Sequence, residues 1–354
     1  METQRYLRLI QTELANMPDF VKKYNLNTQH SLTTTYQYLT ELRRFFDWLR
    51  SENYDQAKKN ADLDYHTLEH LRRSDVMLYI DYLQHSKNQQ GHLNSPTTIN
   101  RSINAMRSFF KYMTITSEAQ DGKPYFEHNV MLKIKSLNNT QTLNYRAHIL
   151  ESHMYTGERK FDFLNFIQDR YEKEATNRQS IPAFRLNKER DLAIIALILG
   201  TGIRVSECAG VNLKDLNLKE ATLDVIRKGG QRDSVPIAEW SLDYLVQYLD
   251  IRNKRYNSSE KDQALFLTIW HGQVRRMTPS AIEKMVSKYS AAFGHPLTPH
   301  KLRHTLASEL YGVTKDQVLV AQQLGQKGTT ATDLYTHVDQ KKQRQALNKI
   351  SDKQ

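Results

Sequence analysis

Apolar residues recur every three or four positions through most of the first half of this chain, a period that only helices can bury along one face. In "SLTTTYQYLTELRRFFDWLRSE", Leu39, Leu42, Phe46 and Leu49 share a face, with Arg43, Arg44 and Arg50 on others. In "SDVMLYIDYLQHSK", Val76, Ile80 and Leu83 align, and Ser74 is placed to cap the helix. "SPTTINRSINAMRSFFKYM" opens with Ser95 as cap and Pro96 at the first helical position. Its stripe is Ile99, Ile103, Met106, Phe110 and Met113, while Arg101, Arg107 and Lys111 project from other faces. Only 13 glycines and 8 prolines leave few tight turns, so the chain is expected to be mainly helical.

The period breaks once in the second half. After "NKERDLAIIALILGTGIRVSECAGV", apolar enough to be a buried helix, comes "ATLDVIRKGGQRDSVPI". Leu223 and Val225 alternate with polar residues, Gly229 and Gly230 supply a turn, and Val235 and Ile237 resume the alternation. This predicts a β-hairpin with Lys228 at its turn, followed by helices to the end. At 354 residues the chain suits two domains. We expect a helical domain over 1–145, a linker region over 146–168 and a second domain over 169–354. The polar stretch "SLNNTQTLNYRAHILESH" marks the junction. The expected fold class is mainly α with a small β-sheet or hairpin in the second domain.

The longest apolar run, "LAIIALIL", is far short of the ~20 residues needed to cross a bilayer. The first residues lack the basic-then-apolar profile of a secretory signal. Cys208 is the only cysteine, so an intramolecular disulfide is excluded and a cysteine-based zinc site is disfavoured. A cytoplasmic protein without membrane contact is expected. The net charge of +11 suits a polyanionic partner, although solubility alone would also account for it. Lying off the apolar stripe, Arg101, Arg107 and Lys111 are candidates for contact with nucleic acid.

Several candidate reactive groups have a local structure that can be argued. Arg204 follows "GTG", whose glycines let a helix end and turn. In "LTPHKLRHTLASELYG", Thr298 is placed as cap, Pro299 in the first turn, and His300 and Arg303 at i, i+3. Leu302, Leu306 and Leu310 form a separate stripe, so the His–Arg pair is expected off the buried face. His300 and His304 have the i, i+4 spacing of zinc ligands, but no carboxylate lies between them and no metal site is expected. Cys208 has no base nearby in sequence and reads as buried filler. Taken singly, each basic residue could be an ordinary solvated side chain.

Together they fit one reaction. Two arginines can fork onto the oxygens of a phosphodiester and neutralise the charge of a pentavalent transition state. A lysine can protonate a leaving alkoxide and a histidine can take a phenol proton. Tyr335, in "LGQKGTTATDLYTHV", would be a poor nucleophile at its ordinary pKa near ~10 without such a field. The phosphodiester product would keep the bond energy for religation, so no ATP, metal or other cofactor is required.

The order Arg204, Lys228, His300-x-x-Arg303, Tyr335 resembles that of the tyrosine recombinases, the lambda-integrase family. "TGIRVSE", the Lys228 hairpin, "TPHKLRHTLAS" and "LGQKGTTATDLYTH" are similar to the boxes of that family over roughly 187–337. More loosely, the N-terminal half resembles its core-binding domain. Length, "NKERDLAIIALIL" and "KLRHTLAS" are similar to the single-component Xer branch.

The resemblance implies that Tyr335 attacks a scissile phosphate of double-stranded DNA to give a 3′-phosphotyrosyl link and a free 5′-hydroxyl. Arg204 and Arg303 would hold the phosphate, Lys228 would protonate the 5′ oxygen, His300 would manage the tyrosine proton, and Glu207 would orient a basic neighbour. Two domains would clamp the duplex. Four protomers would synapse two sites, exchanging strands through a Holliday junction, with Leu347 and Ile350 of the tail anchored in a neighbour. Chromosome-dimer resolution at a dif-like site, with a cell-division DNA translocase as partner, is the task implied. Integration of a mobile element, relaxation by a type IB topoisomerase and non-catalytic DNA binding are the alternatives. One position departs from the family: Gln326 stands where a histidine or tryptophan is usual. Its amide can still donate a hydrogen bond but is neither cationic nor a base, so a slower enzyme is expected.

Overall fold

The computed structural model describes residues 2–336 and Asn348, except 89, 120, 139–140, 176–177, 228 and 330–331. The chain divides into two compact units, Met1–Thr140 and Gln141–Gln354.

The first unit is helical: α1 (Glu2–Ala15), α2 (Asp19–Asn27), α3 (Leu32–Ser51), α4 (Tyr65–Glu69), α5 (Arg73–His85) and α6 (Pro96–Ile115). Its long helices start where side chains satisfy free backbone N–H groups. The Ser31 hydroxyl accepts from the Thr34 N–H and the Ser95 hydroxyl from the Thr98 N–H, with Pro96 in the first turn. Ser74 does not cap α5, contrary to expectation. The helix begins after Arg72, two residues earlier than a Ser74 cap would place it, and the Arg72 backbone N–H donates to the Asp75 carboxylate at 2.7 Å. The predicted stripes of α3, α5 and α6 are buried, and they close around Phe20, Phe46 and Phe109. Each such side chain contributes roughly 1.5–3 kcal/mol by leaving water.

The second unit is built around α10 (Ile181–Thr201). Its segment Leu192–Thr201 is buried on every side because α8 (Arg159–Asn165), α11 (Val205–Gly210), α12 (Leu242–Tyr256), α13 (Pro279–Ala292) and α14 (Pro299–Thr314) all pack on it. Completing the unit are α7 (Leu143–Ser152), α9 (Tyr171–Glu174), α15 (Gln317–Leu324) and α16 (Asp333–Thr336). The predicted hairpin is present as β2 (Thr222–Ile226) and β3 (Arg232–Pro236), antiparallel with Leu223 opposite Val235. A short β1 (Leu216–Asn217) pairs on its other edge, giving the order β1-β2-β3.

Two features differ from expectation. A second hairpin, β4 (Leu267–Trp270) and β5 (Gln273–Arg276), stands where only helices were expected. Ile269 and Trp270 are both exposed, so the sequence lacks the in-out alternation that signals a strand. The stretch 146–168, expected as a linker, is built into the second unit. Ala147, Leu150 and Met154 bury against Val320, Leu324 and Tyr335, while Phe163 and Leu164 join the main core. Few apolar residues on two short helices do this, which is why the stretch reads as polar.

Candidate active site

Arg204 owes its position to the end of α10. Gly202 closes that helix with φ +68°, and a Cβ there would lie 2.8 Å from Leu324 Cδ2 and 2.9 Å from Leu306 Cδ2. Glycine therefore serves both the left-handed turn and the close approach. Two residues on, Arg204 is extended and precedes α11. Its backbone N–H donates to Glu207 Oε2 at 2.7 Å and its Nη1 to Oε1 at 2.7 Å.

Glu207 is buried and serves a second arginine. Arg227, just after β2, donates through Nη1 to Glu207 Oε2 at 2.9 Å, through Nε to Asp233 Oδ2 at 2.8 Å, and through Nη2 to the Gln323 carbonyl at 3.2 Å. A carboxylate out of water is tolerated only when paired, and Glu207 is paired twice. It orients Arg204, as expected, while Arg227 holds it in turn. Arg227 went unnoticed in the sequence because its partner lies twenty residues upstream.

Arg303 is only 3% exposed. Its Nη1 donates to the Gly202 carbonyl at 2.6 Å and its Nη2 to the Leu324 carbonyl at 2.8 Å. Both acceptors lie at helix C-termini, where carbonyls lack intrahelical partners and the dipole favours a cation. Burial, then the charge of Arg204, lowers its pKa to about 10. The expectation that the His–Arg pair lies off the buried face therefore holds for exposed His300 alone. The two carbonyls draw the guanidinium inward. Desolvation by the surrounding wall, followed by the charges of Arg303, Lys301 and Arg204, pushes the His300 pKa below its ordinary value. Arg204, His300 and Arg303 line one open cleft of about 970 Å³, together with Lys284 and Lys288.

Tyr335, on α16, is 2% exposed and does not line that cleft. Its hydroxyl lies 2.7 Å from Nδ1 of His304. Burial raises the phenol pKa to about 12 despite nearby Arg303. Burial, with His300, Lys301 and Arg303, lowers the His304 pKa to about 3. Both groups are therefore neutral at neutral pH, and the phenol, the better donor, donates to the imidazole. In the sequence His304 reads only against the spacing of metal ligands, because its partner Tyr335 lies 31 residues away. Among the described residues no group of three or more His, Cys, Asp or Glu side chains is arranged to hold a metal.

Gln326 follows the turn at Gly325, and its buried Oε1 has no hydrogen-bond partner. Cys208 is buried and its thiol pKa is pushed up by that burial. Lys228 lies outside the described residues, as do Leu347 and Ile350.

The basic candidates of the first unit differ in what holds them. Arg101 Nε donates to Glu41 Oε1 at 3.0 Å, and Arg44 Nη1 donates to Oε2 at 3.1 Å. Glu41 is buried, and both guanidinium groups stay partly in solvent. Arg107 is committed elsewhere, to the Ile134 carbonyl at 2.6 Å and the Ser136 hydroxyl at 2.8 Å. Lys111 is exposed.

A cleft offering two guanidinium groups and an imidazole suits a tetrahedral oxyanion. Comparison with known proteins agrees. Residues 172–342 match the phage integrase family and residues 17–115 the phage integrase N-terminal SAM-like domain. The chain is 44% identical, over 99% of its length and the whole of the relative, to tyrosine recombinase XerS of Streptococcus pyogenes serotype M1. Identity and coverage are the same for XerS of serotype M18, strain MGAS8232. Among solved structures, the XerH site-specific recombinase bound to a palindromic difH substrate, a post-cleavage complex, matches with a TM-score of 0.63 at 20% identity, over 89% of this chain and 78% of that one. A lambda integrase dimer bound to a COC′ core site matches with a TM-score of 0.56 at 11% identity, over 91% and 76% respectively. These two likenesses establish the fold.

Proposed function

The chain belongs to the phage integrase family of tyrosine recombinases, and from that premise we propose that it is a site-specific DNA recombinase resolving chromosome dimers at a dif-like site. The observation that carries this reading is the convergence of Arg204, His300 and Arg303 on one open cleft, in the unit that also holds Tyr335.

In this reading the scissile phosphate sits between Arg204 and Arg303. Both guanidinium orientations are fixed beforehand, by Glu207 and by the carbonyls of Gly202 and Leu324. Such preorganised donors stabilise charge in the transition state without reorganising. Tyr335 Oη forms the new bond to phosphorus as the bond to the 5′ oxygen breaks. The phenol proton passes to His300, neutral and exposed in the cleft, while Lys228 supplies a proton to the 5′ oxygen. One phosphodiester replaces another, so the reverse reaction by a different 5′-hydroxyl rejoins the strands. The Gln326 amide would donate an auxiliary hydrogen bond.

Four copies would act on two sites, with tails exchanged between neighbours and a DNA translocase of cell division as regulator. The cytoplasm is the corresponding compartment; among the described residues no helix is long and apolar enough to cross a membrane.

Covalent capture tests the reading. The protein is mixed with nicked suicide duplexes carrying dif-like sites and with fragments of the host genome, and SDS-resistant adducts are sequenced. Adducts formed by the wild type and absent with Tyr335→Phe are expected, clustering at one chromosomal site. Clustering at the ends of a mobile element would instead indicate an integrase. Specific binding with no adduct would indicate a DNA-binding regulator.

A further inference from the structure

The group that would attack lies outside the cleft where the phosphate would bind. Arg204, His300 and Arg303 line that cleft; Tyr335 and His304 do not. Tyr335 is buried in a small apolar cluster with Ala147, Leu150, Met154, Ala307, and Val320 and Leu324 of α15. Its hydroxyl meets His304 Nδ1 at 2.7 Å. The His304 ring packs edge-on against that of His300, with centroids 4.4 Å apart.

We propose that His304 is a positioning residue that latches Tyr335 inside the second unit in the DNA-free chain, and that this hydrogen bond must open before the phenol can reach a phosphate. The proposal rests on Tyr335 being the nucleophile.

The chemistry of the pair points to a latch and not to a base. An imidazole with a pKa of about 3 beside a phenol of about 12 leaves the proton on oxygen, so no phenolate forms at rest. A buried hydroxyl needs an acceptor, and Nδ1 supplies one. Without it the buried hydroxyl would lose the acceptor that Nδ1 gives it, and the open position would gain population. A neutral hydrogen bond of ordinary strength corresponds to a shift of about fivefold. His300, exposed in the cleft, remains the acceptor for the proton once the phenol has swung in.

The test uses the full-length protein without DNA, treated with tetranitromethane, and reads nitration at each tyrosine by mass spectrometry. His304→Phe keeps a ring but removes the acceptor, whereas His304→Asn keeps an acceptor near the position of Nδ1. Nitration of Tyr335 is expected to rise about fivefold in His304→Phe and to stay near the wild-type level in His304→Asn. Buried Tyr155 and Tyr289 of the same unit report folding and should stay protected. If they react in His304→Phe, the smaller His304→Leu, also without an acceptor, takes its place. A second arm measures single-turnover cleavage of the captured nicked duplex, expected to quicken by a similar factor in His304→Phe.

Equal nitration of Tyr335 in all three proteins, with the reporters protected, would overturn the latch. So would slower cleavage by His304→Phe that His304→Asn restores, since His304 would then belong to the chemistry. A wild type that forms no adduct would sink the nucleophile assignment instead, while nitration would still report on the hydrogen bond.

Discussion

Glu207 and Arg227 meet at 2.9 Å, both buried, and through this contact the β2–β3 hairpin holds the carboxylate that aims Arg204. Arg204 is therefore directed by a residue that has no place in the cleft. In Glu207→Gln the amide can accept from only one guanidinium, and its NH₂ must face the other. We expect single-turnover cleavage to fall about 10- to 100-fold, with a stability loss of roughly 2–4 kcal/mol. Equal cleavage rates for the two proteins, with only the melting temperature lowered, would reduce Glu207 to a structural ion.

Arg227 has a second neighbour that cannot grow. Gly325 sits at φ +59°, and a Cβ there would lie 2.3 Å from Arg227 Nε and 2.5 Å from its Cζ. Gly325→Ala would add left-handed strain and push the guanidinium off Glu207 and Asp233. A loss of roughly 3 kcal/mol or more is expected from urea unfolding. Gly229→Ala is the control. It too has positive φ, +96°, but nothing lies within 4 Å of its Cβ, so only backbone strain of about 1 kcal/mol should register.

What could be read from sequence follows from how far each signal reaches. The stripes of α3 and α6 and the Ser95 cap are set by neighbours within a turn or two, and they were legible. Ser74 is a false signal because α5 starts two residues earlier, after Arg72, where the Asp75 carboxylate accepts from the Arg72 N–H. The β4–β5 hairpin was silent because its outer residues are apolar and exposed. At the site, Arg204, His300 and Arg303 read as a set, and they do share a cleft. The roles of His304 and Arg227 depend on partners 31 and 20 residues away, which no local pattern encodes. The burial of Arg303 depends on two carbonyls at the ends of other helices, and only the fold brings those together.

The first unit separates two arginines that looked alike. Arg101 gives one N–H to Glu41 and keeps its outer face in solvent, beside Arg44 on the same carboxylate. Arg107 donates to Ile134, Ser136 and Asn104 and so holds the end of that unit. Arg101→Ala should weaken DNA binding and lower the slope of log affinity against log salt by about 0.9, one phosphate's worth. Arg107→Ala should lower the melting temperature first. Anisotropy titrations at several salt concentrations decide the matter, and an unaltered slope for Arg101→Ala would remove it from the DNA contact.

Acid should expose the cost of keeping His304 neutral. The ring has a pKa of about 3 in the folded chain against an ordinary value of about 6.5, because burial and the charges of Lys301 and Arg303, with His300 adjacent, oppose protonation. Between those values the unfolded chain binds a proton that the folded chain refuses, so stability must fall as pH falls through that window. Above about pH 6.5 the residue contributes no slope. His30, His295 and His300 are shifted in the same direction, so the wild type should lose stability on acidification from several sites. His304→Asn removes one of them while keeping an acceptor for Tyr335. Its urea midpoint should therefore fall less than that of the wild type between about pH 7 and pH 4. Parallel curves would mean that the imidazole takes up its proton as readily in the folded chain as in the unfolded one, and then Nδ1 could not accept from the phenol below about pH 6.5.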